Sequence, residues 1–463
     1  MSVTLLLLAA YSAVMIGVGL WIGRRVRATG DFFVAGRTLG PGLIFATFLA
    51  GNIGAGSTVG AAGLAYRDGI SAWWWNASAG IGCLILALSV GPRMWREAAA
   101  HGDLTVGDFL ERRYGRDLRF AVAVLIWIGT LSILAAQLLG MSTVFQVVAG
   151  VSKLTGCLLG ATIVSAYFIA GGLLSSAYVN LVQLAVKLAG FAIVTPMALA
   201  IAGGWESVAS DPARMNLLAG GSPQSGWRLL FFLGPAFVVS PGLLQKAFGA
   251  RSERAVTIGV AANGLALLAF AALPVTIGMS ARMLHPDITR DLAFATMASD
   301  LTPAFGALAL AAVFSAEASA ADAVLFMLAT SGARDLFRHY RPAAGDATLL
   351  RAARVSAIAG AALGLTLSMM HQSIIDALGT FYAVMVVTLF VPVLAGLYVG
   401  RTSRRQGLAS LAGVPVLAIV HVASGGAGYG ALTPVVAGVL ASAVGYFGVR
   451  PGSDQGQTGV RPL

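Results

Sequence analysis

Charge is what this chain lacks most. Only 11% of its 463 residues are Asp, Glu, Lys or Arg, against 57% hydrophobic ones, and the mean hydropathy is +0.83. A chain so poor in charge cannot cover a soluble surface, so it reads as an all-α polytopic membrane protein. Cysteine is nearly absent: Cys83 and Cys157 both lie in apolar runs, which excludes a disulfide framework or a cysteine metal cluster. His101, His285, His339, His371 and His421 are scattered, and none sits in a nucleophile or metal motif, so enzyme chemistry is not expected. Acids are scarce too, 19 against 30 basic residues, a net charge of +11. In a soluble protein that balance would point to nucleic acid. Here the basic residues flank apolar runs, where they set topology and meet lipid headgroups, so no nucleic-acid partner is expected.

What is present is a series of apolar segments, roughly 13 of them. They fall near 2–23, 41–66, 70–91, 119–149, 153–170, 177–203, 227–246, 254–283, 303–334, 350–371, 374–400, 407–423 and 431–449. Nothing between them is long enough for a soluble domain, so residues 1–463 read as one transmembrane unit with a short tail at 450–463. Segment 2–23 is followed by Arg24, Arg25 and Arg27. A cleaved signal would carry its charge before the apolar run, so this segment reads as a retained first helix. Alternate loops collect most Lys and Arg, Lys246 among them, and only Lys187 is left inside a span. The positive-inside rule then puts the N-terminus outside and the C-terminus in the cytoplasm of an inner (plasma) membrane.

The stretch GNIGAGSTVG, Gly51 to Gly60, crowds four glycines with Asn52, Ser57 and Thr58 into the middle of a span. In hydrocarbon, backbone that leaves the helical ladder must face protein, a cavity or a solute, so this pattern points to a broken helix at a transport site. Close helix packing through small residues is the other reading. A dinucleotide loop is disfavoured, because no strand leads into it. Gly234-Pro235 offers a second candidate break, or a simple proline kink.

Charged residues inside spans narrow the search. Ser315, Ser319 and Asp322 share one helical face, at i, i+4 and i+7, with Glu317 pointing nearly the other way. Asn180, Gln183 and Lys187 share a face of the sixth span. A carboxylate at mid-membrane costs roughly 3 kcal/mol on insertion scales, so these acids are expected to be paired, protonated or facing water.

The segments FFVAGRTLGPG (32–42), ATFLAGNIGAGSTVG, TVGDFLERRYG (105–115), YFIAGGLLSSAYVNLVQ (167–183), PGLLQKAFGARSERA (241–255), SAEASAADAVLFMLATSGARDLF (315–337) and FVPVLAGLYVGRTSRRQGLASLAG (390–413) follow in an order and spacing that resembles the sodium:solute symporter family. Residues 135–151 are also similar to its pantothenate permease branch. The resemblance implies a LeuT-like core of two inverted five-helix repeats, 41–203 and 227–400. One helix precedes the core and two, within 407–449, follow it. It implies secondary active transport, with sodium carried in symport with a small organic solute by alternating access, and no cofactor beyond the coupling ion.

Carried over by motif, the sodium ligands are the carbonyls of Ala50, Ile53 and Ala316 and the hydroxyl of Ser319. The next position, usually a second hydroxyl, is Ala320. Asn180 stands where the family usually has an aspartate, while Asp322 stands where a hydroxyl is usual. Three readings stay open. Asp322 compensates and sodium binds among Ala50, Ile53, Ala316, Ser319 and Asp322. Alternatively Lys187 takes the cation position, with Asn180, Gln183 and Glu317 around it, and transport is proton-coupled or independent of a cation. Or Lys187 forms a structural pair with Glu317 or Asp322. For the solute, the expected residues are Asn52, Gly56, Ser57, Thr58, Gln137, Phe231, Phe232 and Phe237. Gly56 and Ser57 replace larger polar residues of sugar-carrying relatives, which argues against a sugar. Trp73-Trp74-Trp75 reads as an interfacial belt, Arg67-Asp68 as a local loop pair, and His371 to Tyr382 as a solvated helix end or an outer gate. A membrane enzyme and a non-transporting sensor are the competing classes.

Overall fold

Proline, glycine and short polar side chains set the limits of the helices. The computed structural model describes residues 34–220, 225–371 and 373–450, with isolated positions between 10 and 21. The helix expected at 2–23 and the tail at 450–463 therefore lie largely outside the described residues. The first half holds α1 (Pro41–Asn52), α2 (Ala61–Asp68), α3 (Trp73–Ile85), α4 (Gly91–His101), α5 (Val106–Tyr114), α6 (Arg116–Ala149) and α7 (Lys153–Ile201). The second holds α8 (Leu229–Val238), α9 (Pro241–Phe248), α10 (Glu253–Phe270), α11 (Ala272–Leu284), α12 (Pro303–Thr330), α13 (Asp346–Met370) and α14 (Ile374–Tyr398). After these come α15 (Arg404–Ser410), α16 (Gly413–Ala423) and α17 (Pro434–Gly448). Pro41, Pro241, Pro303 and Pro434 stand in the first turn of their helices, where a missing N–H costs nothing. Ser252 and Ser373 cap α10 and α14 by accepting from a backbone N–H.

Nine helical stretches among the described residues are long and apolar enough to span a bilayer. Thirteen were expected; Gly56–His101 runs from the end of the span expected at 41–66 through the one at 70–91, and the span expected at 431–449 is a helix of 15 residues. The spans expected at 153–170 and 177–203 form one helical stretch, α7, because no proline or charged break separates them. At about 1.5 Å per residue, a straight helix of 49 residues would exceed twice the hydrocarbon thickness. Helix α12 packs against α6 and α7 at the centre, α8 against α3, α10 against α1 and α3, and α14 against α6.

The two ends of the bundle differ in charge. At one end Arg37 donates to Ala98 O (2.9 Å), Asp103 O (2.8 Å) and Phe248 O (3.0 Å), tying the chain before α1 to α4 and α9. Arg112 reaches Glu97 and Asp103, both at 2.8 Å. Thr105 and Asp108 form a capping box at the start of α5, and Arg119 bridges Asp108 (3.0 Å), Asp335 (2.8 Å) and Glu111. At the opposite end Arg214 donates to Tyr66 O (2.9 Å), Tyr66 to His285 O (2.8 Å), Arg290 to Ser373 Oγ (2.8 Å) and Lys153 to His371 O (3.2 Å). Arg67 and Asp68 pair locally there at 2.6 Å, as expected.

The Arg119 cluster joins α5, α6 and the chain after α12. Burial pushes the Asp108 carboxyl up, but Arg119, Arg334 and the backbone N–H groups of Leu104 and Thr105 outweigh it and hold it below the usual carboxylate range. Its contribution to stability is therefore complete above the unfolded-chain value of about 3.9 and is lost as pH falls through the lower, folded one. Replacing Arg119 with Ala leaves Asp108 and Asp335 buried together without their shared cation. That variant is expected to lose about 3 kcal/mol of stability at neutral pH. Thermal unfolding of the purified protein checks this, and an unchanged transition temperature counts against the cluster as a clamp.

Candidate functional site

The ladder of α1 stops where the glycines cluster. Ile53 N still donates to Leu49 O (2.9 Å), but Ile53 itself is extended (φ −94°, ψ 93°). The chain then resumes as a wide turn, with Ser57 N and Thr58 N both on Gly54 O (2.9 and 3.0 Å) and Gly60 N on Ala55 O (2.7 Å). The carbonyls of Ala50, Asn52 and Ile53 are thereby released. The break is where GNIGAGSTVG placed it. Side chains lie so close that a Cβ on Gly54 would come within 2.4 Å of Ala320 Cβ, and one on Gly51 within 2.7 Å of Lys246 Nζ. Gly54 leaves no room for a side chain, whereas a Cβ on Gly51 would have to displace the end of the Lys246 side chain. The second interrupted helix differs from expectation. Gly234 and Pro235 lie inside α8, and the break falls at Val239–Ser240, just before Pro241. The proline after the break, which cannot extend the preceding ladder, marks it rather than the one within α8.

The freed carbonyls converge on an ammonium. Lys187 Nζ donates to Ser319 Oγ (2.7 Å), Ala50 O (3.1 Å) and Ile53 O (3.3 Å). The single Ser319 proton serves either Ala50 O (2.8 Å) or Ala316 O (2.9 Å). The four carried-over sodium ligands, Ala50, Ile53, Ala316 and Ser319, thus form one cluster, and Lys187 reaches into it from α7. Three oxygens at hydrogen-bond distance hold the Lys187 ammonium there.

Asp322 turns toward a second buried ammonium that the sequence reading had assigned to a loop. Lys246, on α9, is 2% exposed, donates to Thr47 O (2.8 Å) and has Asp322 as its opposing charge. It was missed because the seventh span was taken to end at 246, two residues short of the end of α9, which put Lys246 at the membrane boundary. Glu317 acts on Lys187 through space without touching it. Its Oε1 accepts from Thr58 Oγ1 (2.9 Å), and Gly140 lets it approach α6, since a Cβ there would meet Glu317 Cδ at 2.7 Å. Thr58 is thereby turned away from the solute side. Asn180 and Gln183 are fully buried on α7; Gln183 O accepts from Ser315 Oγ (2.9 Å), while the Gln183 side-chain amide has no partner among the described residues.

On the other side of the break lies a small cavity of ≈ 30 Å³. Asn52, Gly56, Ser57, Gln137 and Phe237 line it, as expected. Phe231 does not: it is 60% exposed and packs on Trp227 at the outside of the bundle. Helical spacing explains this, since Leu233 and Phe237, four apart, take the inner face of α8. Phe232 stands behind the lining, against Tyr382. Trp75, read as part of an interfacial belt, is 6% exposed and lines the cavity with Asn76 and Tyr382. Trp74 instead donates to Leu217 O (3.0 Å). No local signal separates Trp75 from its neighbours; only the register of α3 against the break does.

The fold and the sequence were compared with known proteins. A structure described as the substrate-bound, outward-open state of a Na+-coupled sialic acid symporter superposes with a TM-score of 0.82, covering 99% of each chain at 15% identity. Mhp1, a nucleobase-cation-symport-1 family transporter in a closed conformation, gives 0.60 over 89% of this chain and 92% of its own, also at 15%. At that identity the likeness establishes the fold, a LeuT-type bundle. Rat sodium/glucose cotransporter 2 is 27% identical over 423 residues, 76% of this chain and 60% of the rat protein. The Vibrio parahaemolyticus sodium/glucose cotransporter is 26% identical over 46% of this chain and 39% of its own length. The sodium/pantothenate symporter of Escherichia coli K12 is 25% identical over 72% of each. The chain thus spans less than two thirds of the first two of these relatives. The model of the family described as the sodium:solute symporter family matches residues 32–413, most of the sequence, and the chain belongs to that family.

Proposed function

We propose that this chain is a secondary active transporter that carries a small organic solute in symport with sodium by alternating access. One observation carries the reading: the turn at Ile53–Ser57 offers cation-sized oxygens on one side and lines a solute cavity on the other. A cation held between Ala50, Ile53 and Ser319 ties α1 to α12. It biases the conformational equilibrium only through its different affinity for the two states. The Arg-rich end is assigned to the cytoplasm by the positive-inside rule, and Arg37 with Lys246 holds α1 and α9 shut there. The relatives' names pair sodium with solutes as unlike as glucose and pantothenate, so family membership supports the ion and leaves the solute to this chain's own cavity.

A second reading is favoured by the place of Lys187. Its ammonium already holds the oxygens that sodium would need. A tethered cation and a free one cannot share them, so Lys187 either competes with sodium or replaces it in a proton-coupled or cation-independent cycle. Uptake into sealed proteoliposomes, under a sodium gradient or a proton gradient applied separately, decides between them. If sodium is the coupling ion, uptake follows the sodium gradient and Lys187→Gln lowers the sodium concentration for half-maximal uptake by about tenfold, because the competitor is gone. If Lys187 replaces it, uptake ignores sodium and Lys187→Gln abolishes accumulation against a gradient while leaving solute exchange.

Ser319→Ala removes the hydroxyl that joins Lys187 to Ala50, and Asp322→Asn removes the charge opposite Lys246. Both are expected to reduce cation-driven uptake by about tenfold or more, with membrane insertion unchanged. Equal cation dependence in wild type and both variants, measured in the same vesicles, rejects the assigned site.

A further inference from the structure

The cavity beside the broken helix has no charged side chain in its lining among the described residues. The buried charges all lie behind its wall. Lys187 is covered by Ala50 O, Ile53 O and Ser319, and Glu317 is held by Thr58. Both are 0% exposed. A carboxylate or ammonium on a solute placed here would be desolvated without a counter-charge, which costs several kcal/mol.

Two amides in the lining have their orientation fixed by the backbone of the break. Ala55 N–H can only donate, and it donates to Gln137 Oε1 at 2.8 Å. The Gln137 Nε2 donor is therefore left for the cavity. Ser57 O can only accept, and it accepts from Asn76 Nδ2 at 3.0 Å. The Asn76 Oδ1 acceptor is left in turn. Gln137 is 3% and Asn76 2% exposed, and neither Gln137 Nε2 nor Asn76 Oδ1 is sealed off as a buried unpaired atom; each opens on the cavity. A donor and an acceptor that open on the cavity and make no bond to the protein suit a ligand that supplies both.

The remaining wall is flat and apolar. The Tyr382 ring lies 5.6 Å from Phe237 at 39° and 6.4 Å from Trp75 at 66°. Ala79, Ile133, Leu233 and Leu378 complete it. The cavity is narrow at the break, since a Cβ on Gly56 would come within 2.4 Å of Leu378 Cδ1 and 3.4 Å of Trp75 Nε1. A polyol would bring more hydroxyls than this wall can pair. A flat molecule with one carbonyl and one N–H satisfies both amides and lays its face on the rings once the walls move apart, because the cavity as it stands, ≈ 30 Å³, holds about one water.

We infer that the solute is an uncharged, flat, amide-bearing molecule of the lactam, cyclic ureide, nucleobase or aromatic carboxamide class. Its carbonyl accepts from Gln137 Nε2 and its N–H donates to Asn76 Oδ1. This deepens the transporter reading of the same cavity and rests on it for the route of uptake, but recognition by the cavity is measured separately. Gln137→Glu keeps an oxygen for Ala55 N–H and turns the free donor into an anionic acceptor. Asn76→Asp removes the donor to Ser57 O and adds charge on the other side.

The test is equilibrium binding to the full chain purified in lipid nanodiscs, read by tryptophan fluorescence. The panel holds uncharged amides (uracil, hydantoin, nicotinamide), charged solutes (proline, pantothenate) and a polyol (glucose). Saturable binding of at least one uncharged amide, with the charged solutes and glucose at least tenfold weaker, is the expected result. Gln137→Glu should weaken that amide by about tenfold or more while the variant keeps its elution profile and helical content. Asn76→Asp provides the same reading from the opposite edge if the first variant does not fold. No binding by any of the amides, stronger binding of a charged solute or glucose, or an affinity unchanged in both folded variants overturns the inference. Binding of an amide without uptake into proteoliposomes under either gradient would instead sink the transport reading and leave this one standing.

Discussion

A helix that stops halfway across hydrocarbon must find partners for the carbonyls it releases, and the centre of this molecule is arranged around that need. Ala50 O and Ile53 O have no amide to accept from within α1. In lipid each unpaired group would cost several kcal/mol. They are met by Lys187 and Ser319, which brings α7 and α12 to the same point. The negative end of the α1 dipole favours a cation there, whichever cation it is. Small residues make the meeting sterically feasible. Gly51 admits the Lys246 ammonium, Gly54 admits Ala320, and Gly140 admits Glu317. Ala320, in place of the expected hydroxyl, packs its methyl against Gly54.

Lys187, Lys246, Glu317 and Asp322 are all essentially buried, and two positive charges face two negative ones. Such a quartet is neutral without any added ion. The geometry nonetheless keeps the charges apart: Lys187 takes neutral oxygens rather than a carboxylate oxygen, and Glu317 takes the Thr58 hydroxyl. A simple structural ion pair would bring opposite charges into contact. Lys187 and Glu317 are held by neutral groups instead, an arrangement that keeps more than one pairing accessible when the helices shift.

Much of this was legible in the sequence because it depends on local chemistry. Gly51 to Gly60 announced a break, since glycine and hydroxyl residues at mid-span have few other uses. The periodicity of Ser315, Ser319 and Asp322 placed them on one face, and Lys187 stood out as a charge inside a span. What escaped depends on register between helices. Lys246 looked like a loop residue because it is the last residue of the apolar run 227–246, whereas the helix continues to Phe248. Trp75 and Phe231 were misplaced because rotation about a helix axis is set by packing. Within a span that is apolar all round, α8 for instance, periodicity carries no information about which face meets the cavity.

The turn at the break has two faces, and its atoms are shared between two tasks. Ile53 O and the Thr58 hydroxyl face the charged side, meeting Lys187 and Glu317. Ala55 N and Ser57 O, interleaved with them in sequence, face the cavity and orient Gln137 and Asn76. Peptide planes fix the relation between successive groups, so a rotation that improves contact on one face must alter it on the other. A cation at Ile53 O and a solute at Gln137 therefore bear on the same few dihedral angles. That is a physical route for coupling between two ligands that do not touch: both bias one bistable segment, and each senses the other through it.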